Sequence, residues 1–204
     1  MQLVKKALVV VVLSCFGCRV VADYSERPEI QAMANRLAAK GLDRNEVIQT
    51  MRDAKRLESV IEAISRPAEN KQWKDYRSIF IKTARINAAR NFFRMHEETL
   101  NRAEKEFGVP TSIILAIIGV ETYYGKHKGK FRALDALATL GLDYPRRSKF
   151  FMGELESLFL LGKAENFNPE SLVGSYAGAL GFGQFIPSVT SLTPSISMMM
   201  VVGI

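Results

Sequence analysis

The sequence predicts a mainly α-helical protein, and three observations support that fold class. Beyond residue 22, apolar residues recur at helical spacing in one segment after another. No stretch shows the alternation of apolar and polar residues that is typical of strands. The length of 204 residues, with 48% apolar and 24% charged residues, excludes a disordered or collagen-like chain and suffices for one buried core.

The first segment, residues 1–22, is predicted to be a targeting signal. Lys5 and Lys6 precede an apolar run, 7–13, which has the length of a signal-peptide core and is too short to span a bilayer. We therefore expect export of the protein, with cleavage after Ala22.

Two alternatives to that cleavage stay open. Residues 12–15 resemble a bacterial lipobox, in which Cys15 would be acylated after the signal is cut in front of it. The segment would otherwise remain as an uncleaved, membrane-associated helix.

Helix signals continue along the first half of the chain. Pro28 is placed to begin a helix that ends at Gly41. Asp43 and Glu46 form a pair that resembles a capping box, at the start of a helical stretch that extends to 66–67.

The next segments differ in polarity. Residues 83–107 are predicted to form one long amphipathic helix, and the aromatic residues of 73–80 are expected to pack in the core. A further helix begins at Pro110, and because residues 112–120 are apolar on every face, we expect it to be buried. Helices are also expected at 134–140 and 147–162, and the glycine-rich segment 174–183 is expected to be a loop.

The basic composition favours anionic partners. The chain has 28 Lys and Arg against 21 Asp and Glu, with a formal net charge of +7. Cleavage of the signal would remove three of the basic residues, Lys5, Lys6 and Arg19, so a nucleic-acid partner is not expected. Because both cysteines lie in the signal and the chain has only two histidines, no disulfide framework or metal site is expected in the folded body.

Glu121, at the end of the apolar helix, is the main candidate for a catalytic residue. A carboxyl group at the edge of a buried helix loses hydration, which favours its protonated form and suits it to act as a general acid. Tyr123 and Tyr124 offer aromatic faces on which sugar rings stack, and Gly125 permits a sharp turn. For Glu121 the alternative is a glutamate that extends to the surface or pairs with a nearby Arg or Lys, and for the two tyrosines it is ordinary core packing.

Three motifs carry a resemblance to a known family. They are GVETYYGKHKGKFRALDALATLGLDYPRR at 119–147, GSYAGALGFGQFIPS at 174–188 and QWKDYRSIFI at 72–81. Together they closely resemble the membrane-bound lytic transglycosylase B family of bacterial cell-wall enzymes, over residues 28–188. The resemblance implies a lysozyme-like helical catalytic domain, which we place at residues 23–188.

The resemblance also implies an activity, which is cleavage of the MurNAc–GlcNAc β-1,4 bond of peptidoglycan with a 1,6-anhydro-MurNAc product. Glu121 would then be the general acid and base, and Ser175 and Gln184 would bind the glycan. One carboxylate can suffice, because the 6-hydroxyl of the sugar replaces the water that a hydrolase must activate. Without the resemblance, Ser175 would be interpreted as a helix cap and Gln184 as a solvated side chain.

The tail, residues 189–204, departs from the family pattern, because it has no charge and contains three successive methionines. Methionine has one codon, so a frame shifted by one nucleotide would encode Asp-Asp-Gly at 199–201, and upstream codon choices permit an Asp-x-Asp-x-Asp-Gly calcium loop. We therefore predict a frameshift near codon 188 and a catalytic domain that is incomplete at its C-terminus. Calcium would belong to the in-frame loop, and no cofactor is expected in this chain.

The predicted function is that of a peptidoglycan lytic transglycosylase in the periplasm. The alternatives are an inactive truncated fragment and a module that binds peptidoglycan without cleaving it. We expect a monomer whose partner is the glycan strand, with outer-membrane association if Cys15 carries a lipid.

Overall fold

Helices dominate residues 23–66 and 72–190, which are the residues described by the computed structural model. The mainly α fold class is therefore confirmed. The predicted signal with Cys15, and residues 191–204 of the predicted tail, lie outside the described residues. Within the described ranges, no helix is long and apolar enough to cross a membrane.

The elements follow one another with short connections. The helices are α1 Pro28–Ala39, α2 Arg44–Arg52, α3 Glu58–Ser65, α4 Trp73–Phe80, α5 Thr83–Met95, α6 Glu97–Phe107, α7 Thr111–Thr122, α8 Ala133–Asp143, α9 Ser148–Glu165 and α10 Pro187–Thr190. Two short strands that the sequence did not predict, β1 Phe131–Arg132 and β2 Val173–Gly174, pair antiparallel, with Phe131 opposite Gly174.

The predicted start and end of α1 and the predicted start of α2 are confirmed, whereas the helical stretch predicted to extend to 66–67 is divided into α2 and α3 by residues 53–57. Pro28 occupies the first turn of α1, and Gly41 follows the helix with a left-handed φ of 82°. The Asp43 carboxylate accepts hydrogen bonds from the backbone N–H groups of Asn45 at 2.6 Å and Glu46 at 3.2 Å, so it caps the N-terminus of α2.

The main core surrounds α8. Residues 133–141 of this helix are all buried, and α9 packs along it with α1 and α3 nearby. The polar side chains on α8 are also satisfied, since Asp135 accepts from the Lys55 N–H at 2.9 Å and Thr139 from the Leu57 N–H at 3.0 Å. The largest fully buried side chains of the main core are Ile30, Met33, Leu37, Met51, Leu134, Leu137, Leu140, Phe151, Leu155, Leu158, Leu161 and Leu180.

The single long helix predicted over residues 83–107 is wrong, because the chain breaks at His96 into α5 and α6. The His96 N–H donates to the carbonyl oxygens of both Phe92 and Phe93, and its ring lies 4.4 Å from the Phe92 ring. A new helix then begins with Glu97 and Glu98, whose negative charge suits a helix N-terminus.

The prediction that α7 is buried on every face is also wrong. One face contacts α5 and α6 through a second, smaller apolar cluster built on Phe92, Leu100 and Ile118. On α7, Ile113, Ile117 and Val120 are 50%, 43% and 45% exposed. The periodicity could not show this, because an all-apolar helix has no polar face to mark the side that lacks a partner in the described chain.

Helix α4 is likewise not a core element, contrary to the sequence expectation. It has no buried residue, and Trp73 is 73% exposed. Its aromatic side chains contact one another instead, with ring centroids 6.2 Å apart for Trp73 and Tyr76 and 5.1 Å apart for Tyr76 and Phe80.

Tyr24 offers a test of the main core. Its buried hydroxyl donates to Asp143 Oδ2 at 2.6 Å, and burial, followed by this hydrogen bond, raises the pKa of Tyr24 well above its usual range. We expect Tyr24→Phe to lower the free energy of unfolding by about 1–3 kcal/mol at neutral pH.

The pH dependence of that loss has a definite sign. The fold favours the neutral hydroxyl, so its contribution is complete below pH ~10, the ordinary pKa of tyrosine, and decreases at higher pH. Urea unfolding at pH 8 and about pH 11 should show the difference between wild type and Tyr24→Phe shrinking. A difference independent of pH would contradict this assignment.

Candidate functional site

The candidate site lies where the end of α7 meets the glycine-rich loop, defined here as residues 174–185. Glu121 stands in the last turn of α7 and is exposed to solvent. No described side chain forms a hydrogen bond or ion pair with its carboxylate. The dehydrated environment that the sequence predicted for Glu121 is therefore absent from the described chain.

The chain reverses sharply after α7. Tyr123, Tyr124 and Gly125 have successive left-handed φ values of 51°, 57° and 86°. The Tyr124 N–H donates to the Ile118 carbonyl oxygen at 3.3 Å, which closes the helix end. A left-handed backbone is strained for a residue with a side chain, and such strain concentrates at functional sites.

The Tyr123 ring is held by cations. Its centroid lies 4.5 Å from the Arg85 guanidinium and 4.6 Å from the Lys126 ammonium. Arg85 also donates to the Gly119 carbonyl oxygen and lies 5.1 Å from the Phe80 ring centroid. Arg85 thus connects α5 with α7 beside the candidate acid, a role that nothing in the sequence pattern indicated.

Tyr124 packs differently from Tyr123. Its ring belongs to the second apolar cluster, 5.6 Å from the Phe92 ring, and its hydroxyl lies so close to Gly119 that a Cβ there would collide with it. Burial raises the pKa of Tyr124. This placement favours the core-aromatic alternative, and a glycan contact of Tyr124 stays a prediction.

Ser175 organises the start of the glycine-rich loop. Its Oγ accepts hydrogen bonds from the N–H groups of Ala177 at 3.2 Å and Ala179 at 3.1 Å. Ser175 therefore caps backbone N–H groups, as the helix-cap interpretation of the sequence predicted, but it does so on a turn and not on a helix. Because Oγ acts only as an acceptor in both bonds, the hydroxyl proton can still be donated to a ligand.

Gln184 connects the loop to the segment after α7. Its Nε2 donates to the Gly181 carbonyl oxygen at 2.9 Å and to the Lys128 carbonyl oxygen at 3.3 Å. The half-buried amide is therefore not a free solvated side chain. Its Oε1 keeps its capacity to accept a hydrogen bond.

Two residues that the sequence analysis missed bring the segments together. Thr122 is fully buried, and its Oγ1 lies 3.0 Å from the Phe182 carbonyl oxygen. Gly129, with a φ of 102°, lies against the Gly174 backbone so closely that no Cβ would fit. In the sequence, only the position of Gly129 between two lysines of a motif could have indicated its role. For Thr122 nothing but its place next to Glu121 could have done so.

The surroundings of the site are basic and aromatic. Lys128 Nζ lies 4.9 Å from the Phe182 ring centroid, and Lys126 and Arg85 flank Tyr123 as described above. Such cations favour an anionic ligand. No group of three or more His, Cys, Asp or Glu side chains in residues 23–66 and 72–190 could hold a metal ion, so these residues do not fit a calcium site.

Comparisons with known proteins agree on one family. Residues 25–192 match the family model described as transglycosylase SLT domain. The membrane-bound lytic murein transglycosylase B of Escherichia coli (strain K12) is 41% identical in an alignment of 177 residues that covers 81% of this chain and 49% of that protein.

Solved structures show the same lysozyme-like fold. Soluble lytic transglycosylase SltB1 from Pseudomonas aeruginosa is 47% identical with a TM-score of 0.77, over 81% of this chain and 56% of that one. Escherichia coli lytic transglycosylase Slt35 in complex with calcium is 42% identical with a TM-score of 0.76, over 83% of this chain and 55% of that one.

A more distant relative was solved with a glycan ligand. SltB3 from Pseudomonas aeruginosa, in complex with NAG-NAM-pentapeptide, is 25% identical with a TM-score of 0.71, over 79% of this chain and 43% of that one. This chain therefore spans about half the length of the relatives that it matches.

Gly129→Ala tests the close approach of the two segments. The added methyl group would meet Gly174 backbone atoms, which cannot move aside as a flexible side chain can. We expect a loss in the free energy of unfolding well above the roughly 1–2 kcal/mol that a left-handed backbone alone costs an alanine. Urea denaturation measures the loss.

Gly108→Ala is the matched control. Gly108 also has a left-handed φ, 68°, but no atom lies within 4 Å of the place that the new methyl group would take. This variant should show only the cost of the backbone. Equal losses from the two variants would show that the contact of Gly129 with Gly174 contributes nothing.

Proposed function

The chain belongs to the transglycosylase SLT domain family, and from that premise we propose that it is a peptidoglycan lytic transglycosylase with Glu121 as its general acid and base. The observation that carries the proposal is the junction itself. The end of α7, which bears Glu121, contacts the loop that bears Ser175 and Gln184.

The proposed reaction needs one carboxyl group. Glu121 donates its proton to the oxygen of the MurNAc–GlcNAc β-1,4 bond as that bond breaks. The carboxylate then accepts the proton of the MurNAc 6-hydroxyl, whose oxygen attacks the anomeric carbon and forms the 1,6-anhydro ring. Because the nucleophile is part of the substrate, no second carboxylate has to activate water.

The glycan strand is the proposed ligand of the loop. The free proton of Ser175 suits a sugar or N-acetyl oxygen, and the free Oε1 of Gln184 suits a hydroxyl or amide donor. Tyr123, whose ring lies beside the cations of Arg85 and Lys126, is the aromatic residue that we propose to contact a sugar. The glycan ligand of SltB3 supports this class of substrate.

One observation favours an alternative, which is a module that binds peptidoglycan without cleaving it. Glu121 is exposed, so the described chain does not give it the dehydrated environment that suits a general acid. A second alternative is an inactive fragment, which would neither bind nor cleave peptidoglycan. Incubation with purified sacculi separates the three cases.

The proposed location is the periplasm, as a monomer, with an outer-membrane anchor if Cys15 is acylated. The name of the Escherichia coli relative, which is called membrane-bound, supports an anchor. Slt35 in complex with calcium supports a calcium loop in the family, which we propose for the in-frame continuation and not for residues 189–204.

Glu121→Gln tests the catalytic proposal. The variant keeps the shape of the side chain but cannot donate or accept the proton, so release of 1,6-anhydro-muropeptides should fall by about 10²–10⁴-fold or more. Mass spectrometry of soluble products from sacculi measures the rate, and co-sedimentation with sacculi should be unchanged.

Glu106→Gln is the matched control, since Glu106 is an exposed glutamate in the last turn of another helix, α6. It should keep the wild-type rate. Release by Glu121→Gln at the wild-type rate would remove Glu121 from its role. Binding by wild type without any release would favour the binding module, and the absence of both would favour the fragment.

Cys15→Ala tests the anchor. Acylation at the Cys15 thiol predicts labelling of the protein in cells that are fed a radioactive fatty acid, and the alanine variant should lose the label. An unlabelled mature protein that begins at Asp23 would decide against the anchor and for cleavage after Ala22.

A further inference from the structure

Thr122 is the buried polar group at the junction. Its side chain is fully inaccessible, although it lies next to the exposed Glu121. Its Oγ1 lies 3.0 Å from the Phe182 carbonyl oxygen and accepts a hydrogen bond from the Gly125 N–H at 3.0 Å. One oxygen atom thus contacts both the turn after α7 and the glycine-rich loop.

The long-range contact is not forced by local geometry. A threonine in a helix commonly donates to the carbonyl oxygen four residues earlier, and the Ile118 carbonyl oxygen lies 3.2 Å from Oγ1. The Phe182 oxygen is closer, and the two residues are 60 apart in sequence. The hydroxyl is therefore shared between its own helix and the loop.

The Thr122 hydroxyl and the Phe182 ring both contact Gly125. The Phe182 ring covers Gly125 so closely that a Cβ at Gly125 would collide with it, and it lies 5.5 Å from the Phe92 ring. The Thr122 side chain, which donates a hydrogen bond to the Phe182 carbonyl oxygen, is itself inaccessible to solvent. If the hydroxyl were lost, the Phe182 carbonyl oxygen would lose this donor where water does not readily replace it.

We propose that Thr122 is a positioning residue, which holds the last turn of α7 against the glycine-rich loop and thereby sets the place of Glu121 relative to Ser175 and Gln184. The catalytic part of this inference, the placement of Glu121, rests on the proposed function. The junction itself can be tested without any measurement of activity.

Two substitutions separate the hydroxyl from the rest of the side chain. Thr122→Val keeps the shape and removes the hydrogen bonds, whereas Thr122→Ser keeps the hydroxyl and removes a methyl group. Thr139→Val is the matched control, because Thr139 is also fully buried and accepts a backbone hydrogen bond, but in the main core on α8.

Amide hydrogen exchange tests the junction. The Leu180 and Phe185 amides hydrogen-bond each other's carbonyl oxygens across the loop, at 2.8 and 3.2 Å. In Thr122→Val they should exchange about tenfold faster than in wild type, because a buried hydrogen bond that holds the loop is lost. Thr122→Ser and Thr139→Val should exchange nearly as wild type at these two amides.

The kinetic test uses release of anhydro-muropeptides, at a temperature at which all variants are folded. We expect kcat of Thr122→Val to fall about 10–100-fold with little change in KM, since displacement of a catalytic group by about 1 Å costs on this order. Thr122→Ser should recover most of the rate, and Thr139→Val should keep the wild-type kcat despite its lower stability.

The outcomes are distinct. If the Leu180 and Phe185 amides exchange at the wild-type rate in Thr122→Val, or equally fast in Thr139→Val, Thr122 does not hold the loop. A normal kcat in Thr122→Val would overturn the positioning role. If the wild-type chain releases no product, the proposed function fails, and the exchange comparison still decides whether Thr122 holds the loop.

Discussion

The burial of α8 is the constraint on which the other described elements depend. Helix α8 contacts α9 and α3, and α1 packs against α9. Its polar side chains, Asp135 and Thr139, accept hydrogen bonds from the connection between α2 and α3. The helix begins directly after β1, and its first N–H, at Ala133, donates to the Leu172 carbonyl oxygen at 2.8 Å. Burying α8 therefore places the β1–β2 pair, from which the glycine-rich loop begins.

The candidate site lies on the seam between two apolar clusters. Leu180 belongs to the main core, whereas Phe182, two residues later, packs with the second cluster against α7. The loop thus connects the main core to α7, the helix that bears Glu121. Close packing at Gly125 and Gly129 makes this seam narrow, so a small displacement of either cluster changes the geometry of the site.

The exposure of Glu121 gives the glycan a second role in the proposed reaction. A carboxyl group in water does not have the environment of a general acid, and the described residues do not supply one. A sugar in contact with Tyr123 and bound by the loop would itself remove water from the end of α7. In this scheme the acid acquires its working environment when the substrate binds.

The sequence by itself determined the features that depend on neighbours along the chain. The cap at Asp43, the end of α1 at Gly41, the helix at α8 and the place of Glu121 at a helix end all follow from residue types along the chain. Tertiary structure decided which face of α7 is covered, because an all-apolar helix carries no mark of its partner. It also decided the role of Thr122, since a hydrogen bond between residues 60 positions apart depends on the packing of two clusters and leaves no local pattern.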